Sequence, residues 1–301
     1  MEKIFEFVLK TVENNSKRTD VFSGIPSGFI SLDKVTLGWQ KSNLIVIASR
    51  PSMGKTSFTL SMVRNMIVDF KTPVLYFTLE MNETQLITKL LCIQTELPHE
   101  KISIGKLEDW EWTQLDSKCK ELQDSPLFVQ AKFRELQDIR KECCDFVEKH
   151  KDGIIFIDNL QQIINSSKTY VTRDHEDGDI VRELKALAKE LDVPIIITSS
   201  LNRDAERRGG DMRPKLSDMK DTGEIENVAD VVCLIHRPEY YGIMYDEEGN
   251  STMGLGQVIL AKNRNGSICD VNLRFRQEFA RFEEWDSIIG LLEIPSLIIN
   301  E

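Results

Sequence analysis

The chain has 301 residues, of which 41% are hydrophobic and 29% are charged, and its formal net charge is −11 at pH 7. This balance is typical of a globular protein. The sequence excludes a membrane span, since no apolar run reaches the roughly 18 residues required, and charged residues interrupt the N-terminal stretch where a secretory signal would lie. The negative charge alone argues against an overall basic nucleic-acid-binding surface. It leaves room for a local basic channel, because charges are screened within about 10 Å.

The cysteines indicate a reducing compartment. All six are scattered along the chain, and no pair has the C-x-x-C spacing of a metal site. Thiols of this kind persist where the cell keeps them reduced. We therefore expect a cytoplasmic protein.

The first 20 residues predict a short helix followed by a polar linker. Apolar side chains recur at spacings of three and four over residues 1–15, which is the pattern of an amphipathic helix. Residues 14–19 are polar and typical of a linker. The apolar face of the helix must pack against its own domain or a neighbouring subunit, and the pattern fits both.

A strand, a tight loop and a helix follow one another between residues 44 and 70. Residues 44–48 are apolar throughout and predict a buried strand. Four large apolar residues then lie at four-residue spacing on one predicted helix face: Phe58, Met62, Met66 and Phe70. The loop between them fits a P-loop, except that Ser49 stands where the pattern has its first glycine. Serine is small enough for that position, and the alternative is an accidental Gly-Lys-Thr.

The P-loop motif predicts a site for ATP and Mg²⁺. Backbone N–H groups at the start of the helix form an anion-binding concavity, and Gly54 lets the backbone approach the phosphates without a Cβ. Lys55 would reach the β- and γ-phosphates, while the Thr56 hydroxyl would bind the magnesium ion. The predicted nucleotide-binding residues are Ser49, Arg50, Pro51, Ser52, Met53, Gly54, Lys55, Thr56 and Ser57.

Two predicted core strands end in a carboxylate. Residues 74–79 lead to Glu80, and the apolar run at 154–157 leads to Asp158 in the Walker B pattern. Ligands bind at the carboxyl ends of strands in such sheets. Asp158 is therefore predicted to hold magnesium together with Thr56. Glu80 is predicted to act as the base that polarises the attacking water, the alternative being a charge that faces solvent.

Alternating strands and helices predict an α/β fold with a parallel sheet and helices on both faces. Further strands are expected at 127–129, 193–200 and 231–235, and further helices at 82–95, 109–124, 134–150 and 178–191. Residues 165–177 are predicted to form a loop. Residues 202–224 are long and charged without periodicity, which fits either a functional or a merely solvated loop.

The C-terminal region predicts an antiparallel hairpin. Residues 258–262 and 271–275 fit strands on either side of Asn265-Gly266, a strong turn signal. Lys262 and Arg264 would then lie at the tip of a projecting hairpin, with a third strand at 279–282. The tail at 287–301 is rich in apolar residues, and its pattern assigns it no function.

Several sequence segments between residues 21 and 285 match, in the same order, segments of the ATPase domain of the DnaB-type replicative helicases. Residues 21–285 therefore resemble that domain, which has a RecA-like fold. The resemblance is most specific in the P-loop block, in Leu79-Glu80-Met81 and in Ile157-Asp158-Asn159-Leu160-Gln161. Two further segments, Leu201-Asn202-Arg203 and Lys262-Asn263-Arg264-Asn265-Gly266, fit it as well. It implies a linker helix and linker over residues 1–20, followed by one RecA-like ATPase domain over residues 21–301.

The resemblance also implies roles for particular residues. Glu80 matches the catalytic glutamate, and Asp158 matches the Walker B partner of magnesium. Arg264 resembles the arginine finger that enters the nucleotide site of the neighbouring subunit, with Lys262 facing the same site. The family forms hexameric rings around single-stranded DNA and moves 5′ to 3′, so a homo-oligomer is implied, with primase or a helicase loader as further partners.

The candidate DNA-binding loop follows from the same resemblance. Lys220, Asp221 and Gly223 belong to the segment that matches the family loop holding the DNA backbone in the central channel. Lys220-Asp221-Thr222-Gly223 stands here for the usual Arg-Glu-Ser-Gly, which keeps each charge. Lysine is a point charge, so we expect weaker bidentate contact with phosphate.

Two other departures keep rival interpretations open. Ser200 stands where the family often has a glutamine that senses the γ-phosphate. The family's N-terminal, primase-recruiting domain is also missing, which fits a truncated form or a helicase of phage or mobile-element type. The main rival is a DNA-dependent ATPase of recombinase or loader type that uses ATP as a switch. The second rival is a regulatory subunit of a heteromeric ring.

Overall fold

The computed structural model describes residues 22–202, 210–219 and 222–285. The predicted N-terminal helix, Lys220, Asp221 and the apolar tail lie outside these ranges. Nine strands of the described part form one sheet: β1 (Leu44–Ser49), β2 (Val74–Thr78), β3 (Leu127–Gln130), β4 (Ile154–Asp158), β5 (Ile195–Ser200), β6 (Val231–His236), β7 (Leu255–Asn263), β8 (Asp270–Arg276) and β9 (Arg281–Glu284).

The sheet combines a parallel half and an antiparallel half in the order β3-β2-β4-β5-β1-β6-β7-β8-β9. Strands β1 to β6 pair in parallel. Strand β7 then pairs antiparallel with β6, β8 with β7, and β9 with β8. The central strands are fully buried, as their continuous apolar runs require. The predicted fold class is confirmed.

Helices cover both faces of the sheet, and each face has its own apolar core. Their bounds are α1 (Ile30–Thr36), α2 (Lys55–Arg64), α3 (Glu83–Thr95), α4 (His99–Ile104), α5 (Asp109–Gln123), α6 (Leu136–Lys149), α7 (Arg173–Leu191) and α8 (Thr222–Val228). None of the helices in these described ranges has both the length and the apolar character that crossing a bilayer demands.

The P-loop helix α2 ends in a wider turn than predicted. Residues Asn65–Asp69 form a π-helix, in which the N–H of Phe70 bonds to the carbonyl of Asn65 at 3.3 Å. A π turn adds one residue and rotates the following side chain off the helix face. Phe58, Met62 and Met66 are therefore buried as predicted, whereas Phe70 is 48% exposed and leaves the apolar face.

Helix α7 begins five residues before the predicted start at Gly178. Thr172 caps its first turn by accepting a hydrogen bond from the His175 N–H at 3.3 Å. Arg173 pairs with Asp177 at 2.8 Å, and Asp177 is fully buried. Apolar periodicity misses this turn because its buried residue, Asp177, is charged and is paired with the partly exposed Arg173.

The C-terminal hairpin differs from the predicted Asn-Gly turn. Strands β7 and β8 are joined by residues 264–269, and neither Asn265 nor Gly266 has the positive φ of a two-residue type I′ turn. Lys262 lies inside strand β7 opposite Val232, and Arg264 follows the strand end. The antiparallel hairpin and the place of Arg264 in its loop are therefore confirmed, whereas the prediction that Lys262 also lies at the tip is wrong. The third strand of the meander, β9, is confirmed.

Candidate active site

A cleft of about 340 Å³ opens at the carboxyl edge of the parallel half of the sheet. Its lining includes most of the predicted nucleotide site together with residues that the P-loop motif does not contain. These lining residues are Ser49, Arg50, Pro51, Ser52, Gly54, Lys55, Thr56, Ser57, Glu80, Lys89, Ser200 and Phe275. Met53 was predicted among them but is 1% exposed and packs in the core, so only its backbone belongs to the loop.

The loop conformation depends on Gly54. Its φ is +90°, a value that side chains with a Cβ rarely adopt, and a Cβ there would lie 3.0 Å from the Phe282 ring. Helix α2 begins directly after it, so the first helical N–H groups face the cleft. Ser49 ends β1 buried, with its hydroxyl donating to the Arg50 carbonyl at 2.9 Å. A serine thus fits the first position of the loop.

Lys55 extends across the cleft towards the end of β5. Its Nζ donates to the Ser199 carbonyl at 3.1 Å and to the Ser200 hydroxyl at 3.4 Å. Burial lowers the pKa of Lys55, and the carboxylates of Asp158 and Glu80 act in the opposite direction. A buried ammonium ion next to helix N–H groups favours binding of an anion.

Asp158 lies behind Thr56 as the centre of a hydroxyl cluster. Thr56 donates to Oδ2 at 2.9 Å, Thr198 donates to Oδ1 at 2.5 Å, and the Tyr76 phenol donates to Oδ2 at 3.2 Å. Burial raises the pKa of Tyr76, so its phenol stays a proton donor. Carboxylate and hydroxyl oxygens are the ligands that Mg²⁺ prefers. Thr56 and Asp158 therefore fit the magnesium ion that the P-loop motif predicts.

Glu80 follows strand β2, and its carboxylate is exposed to the cleft. The Asn159 side-chain amide donates to its Oε2 at 2.8 Å. Asn159 directly follows Asp158, so one chain segment places both the carboxylate behind Thr56 and the amide that holds Glu80. No motif assigns Asn159 a role, although a residue that directly follows a core strand lies where ligands bind in such sheets.

Lys89 was not predicted by any motif. It lies on α3, partly buried, and lines the cleft with Lys55 and Glu80. Within the described ranges its ammonium group makes no hydrogen bond or ion pair. Helix α3 packs on α2, and this packing brings Lys89 to the cleft. No sequence spacing distinguishes it from a surface lysine.

Arg264 and Lys262 lie at the other end of the sheet. Arg264 contacts Asp230, whose carboxylate accepts the Leu44 N–H at the start of β1. The Lys262 ammonium donates to the Glu226 carbonyl at 2.5 Å. The P-loop follows the opposite end of β1, about 17 Å away for a six-residue strand. Within one chain the two cations therefore do not meet the nucleotide site.

The candidate DNA loop is described only in part. Lys220 and Asp221 lie outside the described residues. Gly223 is exposed in the first turn of α8, and a Cβ at Gly223 would have open space around it.

Comparison with known proteins identifies the family to which this site belongs. The family described as the DnaB-like helicase C terminal domain matches residues 24–284. The chain belongs to this family of DnaB-like helicase domains. It is 34% identical to the replicative DNA helicase DnaB of Geobacillus stearothermophilus over 298 residues, which is 98% of this chain and 64% of that protein. It is also 34% identical to the replicative DNA helicase DnaC of Bacillus subtilis, covering 93% of this chain and 62% of that protein.

Solved structures show the same DnaB-like domain. A solved ATPase domain superposes with a TM-score of 0.86 at 30% identity, covering 94% of this chain and 99% of that one. A DnaB-like replicative helicase, solved in a study of its interactions with primase, gives a TM-score of 0.84 at 30% identity, covering 95% of this chain and 67% of that one. The chain spans slightly under two thirds of the length of the curated relatives above.

Proposed function

We propose that this DnaB-like chain is the ATP-hydrolysing motor of a replicative DNA helicase, acting as a hexameric ring that moves 5′ to 3′ on single-stranded DNA. The observation that carries the proposal is the grouping of four side chains at one edge of the sheet. Lys55 and Glu80 line one cleft with the P-loop, and Thr56 is hydrogen-bonded to Asp158 directly behind it. This is the arrangement that hydrolysis of a nucleoside triphosphate requires.

The proposed chemical step is attack of water on the γ-phosphorus. The new bond is from the water oxygen to phosphorus, and the bond that breaks joins phosphorus to the bridging oxygen, which leaves with ADP. Glu80, held by Asn159 at 2.8 Å, orients the water and takes its proton. Lys55 moves from the Ser199 carbonyl to the phosphates. Thr56 and Asp158 would hold Mg²⁺, which would supply further positive charge to the phosphates.

A site shared between subunits is the second part of the proposal. Arg264 lies at the far end of β1 from its own P-loop, and its side chain is about half exposed. A cation that does not reach the nucleotide of its own chain can contact the nucleotide of a neighbouring subunit, as an arginine finger does. We propose that Lys262 also faces the nucleotide site of the neighbouring subunit. Contact in trans requires an oligomer, for which the hexameric ring is our proposal.

The DNA contacts and partners complete the proposal. Lys220, Asp221 and Gly223 are proposed to hold the backbone of single-stranded DNA in the channel, since backbone N–H groups and one cation suit phosphate without base readout. Residues 1–20 are proposed as a linker segment that docks on a neighbouring subunit. Primase or a helicase loader is the proposed further partner, and the proposed location is the cytoplasm.

The test is steady-state ATP hydrolysis measured against protein concentration, with and without single-stranded DNA. A rate per chain that rises with concentration and rises again with DNA supports a shared site in a DNA-gripping ring. A flat rate that ignores DNA contradicts both the arginine-finger and the DNA-loop assignments. Electron microscopy of the same samples separates closed rings from the open filaments expected of a recombinase-type switch.

A further inference from the structure

A second cavity, of about 250 Å³, lies in the antiparallel half of the sheet, away from the P-loop cleft. We name it the β6–β8 cavity. The residues that line it are Asp211, Arg213, His236, Pro238, Ile243, Tyr245, Asp246, Glu247, Thr252, Leu255, Gln257 and Asn272. Phe275 of β8 faces the P-loop cleft, whereas Asn272, three residues before it, points to the other face of the sheet. The two sites share no lining residue.

A row of three neutral polar side chains forms the floor of the β6–β8 cavity. His236 is paired in register with Gln257, and Gln257 is paired with Asn272. Neighbouring strands are about 4.8 Å apart, so the three groups follow one another across three strands at that spacing. Gln257 donates to the Asn272 side-chain carbonyl at 3.4 Å, a long hydrogen bond. The row presents both donors and acceptors to whatever occupies the cavity.

His236 is the most deeply buried member of this row. It is 2% exposed, and its ring stacks on Tyr241 with 5.9 Å between the ring centroids. In the part of the chain that the structure describes, neither ring nitrogen makes a hydrogen bond. Burial lowers the pKa of His236 to about 4, so the imidazole is neutral and offers one donor and one acceptor. The ring nitrogens are not among the buried, unpartnered atoms of the described residues, so they remain accessible from the cavity and can bond a ligand there.

The surrounding charges restrict the chemistry of that ligand. Three carboxylates lie around the cavity, from Asp211, Asp246 and Glu247, and they repel a phosphate or another anion. The Arg213 guanidinium is paired with Asp270 at 2.5 Å, so it adds little positive charge to the cavity. The charges therefore disfavour an anion, and the row of neutral donors and acceptors favours a ligand with hydrogen-bonding groups of its own.

The shape and the apolar lining restrict the ligand further. Pro238, Ile243 and Leu255 supply apolar walls, and the Tyr245 ring is 68% exposed and available for stacking. The cavity is smaller than the roughly 300–1,000 Å³ of pockets for drug-sized ligands, which favours one ring system. Planar heteroaromatic rings stack on tyrosine and offer donors and acceptors along their edge.

We propose that the β6–β8 cavity binds a nucleobase, with the ring edge on His236 and Gln257 and a ring face on Tyr245. The base belongs either to single-stranded DNA or to a free nucleotide, and in both cases the phosphate stays outside the acidic mouth. The DNA source rests on the proposed function, because Asp211 and Arg213 precede the candidate DNA loop in the same connection between β5 and α8.

The test compares Tyr245→Ala with Tyr245→Phe, which keeps the ring and serves as the matched control. The full-length wild type and both variants are titrated with a fluorescent single-stranded oligonucleotide and with an abasic oligonucleotide of the same length. Stacking on one aromatic side chain is worth enough to expect a loss of about fivefold or more for Tyr245→Ala on the base-bearing strand. No change is expected on the abasic strand or for Tyr245→Phe.

A second arm distinguishes a free nucleotide from DNA. Labelled ADP is dialysed against Lys55→Ala and against Lys55→Ala combined with Tyr245→Ala, so that the P-loop site is weakened in both. Residual binding that disappears in the double variant assigns the cavity to a free nucleotide. Binding that is unaffected in this arm, together with a base-dependent loss in the first arm, assigns the cavity to DNA.

Equal losses on base-bearing and abasic strands, or no loss in either arm, overturn the nucleobase site. These results leave the proposed motor function standing when wild-type hydrolysis still responds to DNA. Conversely, base binding by a chain whose hydrolysis ignores DNA contradicts the motor function alone. His236→Phe provides an independent check, since it keeps an aromatic ring beside Tyr241 but removes both ring nitrogens. It should reproduce the loss seen with Tyr245→Ala.

Discussion

Arg264 lies against Asp230, with its Nη1 3.5 Å from the Asp230 carboxylate. The same carboxylate accepts a 2.5 Å hydrogen bond from Lys185 and a 2.8 Å hydrogen bond from the N–H of Leu44. Arg264 is thus held at the start of β1, while the P-loop leaves the end of that strand. The Arg264 side chain is 47% exposed, and the buried Asp230 carboxylate would keep Lys185 and the Leu44 N–H as partners without it. Removing Arg264 should therefore test function more than folding.

We expect Arg264→Ala to reduce ATP turnover by a factor of about 10³ or more, while nucleotide affinity stays within a few fold. The physical reason is that the guanidinium stabilises charge on the departing phosphoryl group of a neighbouring subunit and does not hold the ground state. Turnover is measured by phosphate release, and affinity by titration with a fluorescent nucleotide. A loss of binding instead would place Arg264 in the pocket of its own chain.

Mixing experiments provide the control for the shared site. Arg264→Ala and Glu80→Gln chains are each expected to be inactive when assayed alone. Mixed rings contain interfaces in which an intact Glu80 faces an intact Arg264, so activity should reappear on mixing. Persistent inactivity in rings shown to be mixed would exclude catalysis in trans.

Lys55→Ala should lower turnover by about a hundredfold or more, because the variant loses the ammonium group that we propose moves from the Ser199 carbonyl to the phosphates. The measurement is steady-state hydrolysis at saturating ATP. Lys120→Ala is the matched control, since this exposed lysine pairs with Asp116 on the surface of α5, away from the cleft. Retained activity in Lys55→Ala would show that the P-loop assignment is mistaken.

Lys89→Ala should raise the dissociation constant for ATP, or lower turnover, by about tenfold. A charge-assisted hydrogen bond to a phosphate is worth this much, and the described structure gives the amine no other partner. Lys89→Arg should recover most of the loss, because it keeps the positive charge. If the Ala variant and the wild type have the same dissociation constant for ATP and the same turnover, Lys89 does not contact the nucleotide.

Lys220→Ala should weaken DNA binding to a similar degree for every sequence and reduce the slope of log affinity against log salt by about one. The reason is the loss of one phosphate contact with its released counterion. Fluorescence anisotropy with homopolymers of different base composition measures both effects. A loss confined to one sequence would contradict backbone-only recognition by this loop.

The pH dependence of stability should report on His236. Its pKa drops from 6.5 to about 4 on folding, chiefly through burial, with Arg213 lowering it further and Asp211 and Asp270 opposing. As pH falls from about 6.5 to 4, the His236 imidazole therefore binds a proton in the unfolded chain but not in the folded chain. The free energy of unfolding should decrease by about 3 kcal/mol over this window through this group, and be unaffected above it.

Denaturant unfolding of wild type and His236→Phe at several pH values measures the pH effect. The difference in unfolding free energy between the two proteins should change between pH 6.5 and 4 and be constant above pH 7. A constant difference over the whole range would mean that His236 titrates normally in the folded protein.

Much of the fold followed from patterns that local physics enforces. The apolar runs of β1 and β4 predicted buried parallel strands, and these strands position Lys55, Thr56 and Asp158 as expected. Each of these strands and residues belongs to a short contiguous segment, and its pattern predicts the local structure without information about what packs against it. Glu80 was predicted at the cleft for the same reason.

The residues that sequence reasoning missed depend on contacts between distant segments. Lys89 reaches the cleft only because α3 packs on α2, and the polar row of His236, Gln257 and Asn272 exists only through strand register. The hairpin was predicted correctly, but its two-residue Asn-Gly turn was not, because pairing of β7 with β8 stops at Ile259 and Asp270 while β7 continues beside β6 as far as Asn263. Pairing with β6 is a long-range contact that a local turn preference does not contain.

Strand β1 has a mechanical consequence for the proposed ring. All six of its residues pair with β5 and five of them pair with β6, so it is braced on both sides along its length. A strand braced in this way behaves as a stiff rod, with the phosphate loop at one end and Asp230 with Arg264 at the other. In the proposed ring, tilting this strand at one interface would displace the proposed arginine finger at the next interface by a similar amount. The timing of successive hydrolysis events would then be set by lever geometry, without any refolding along the way.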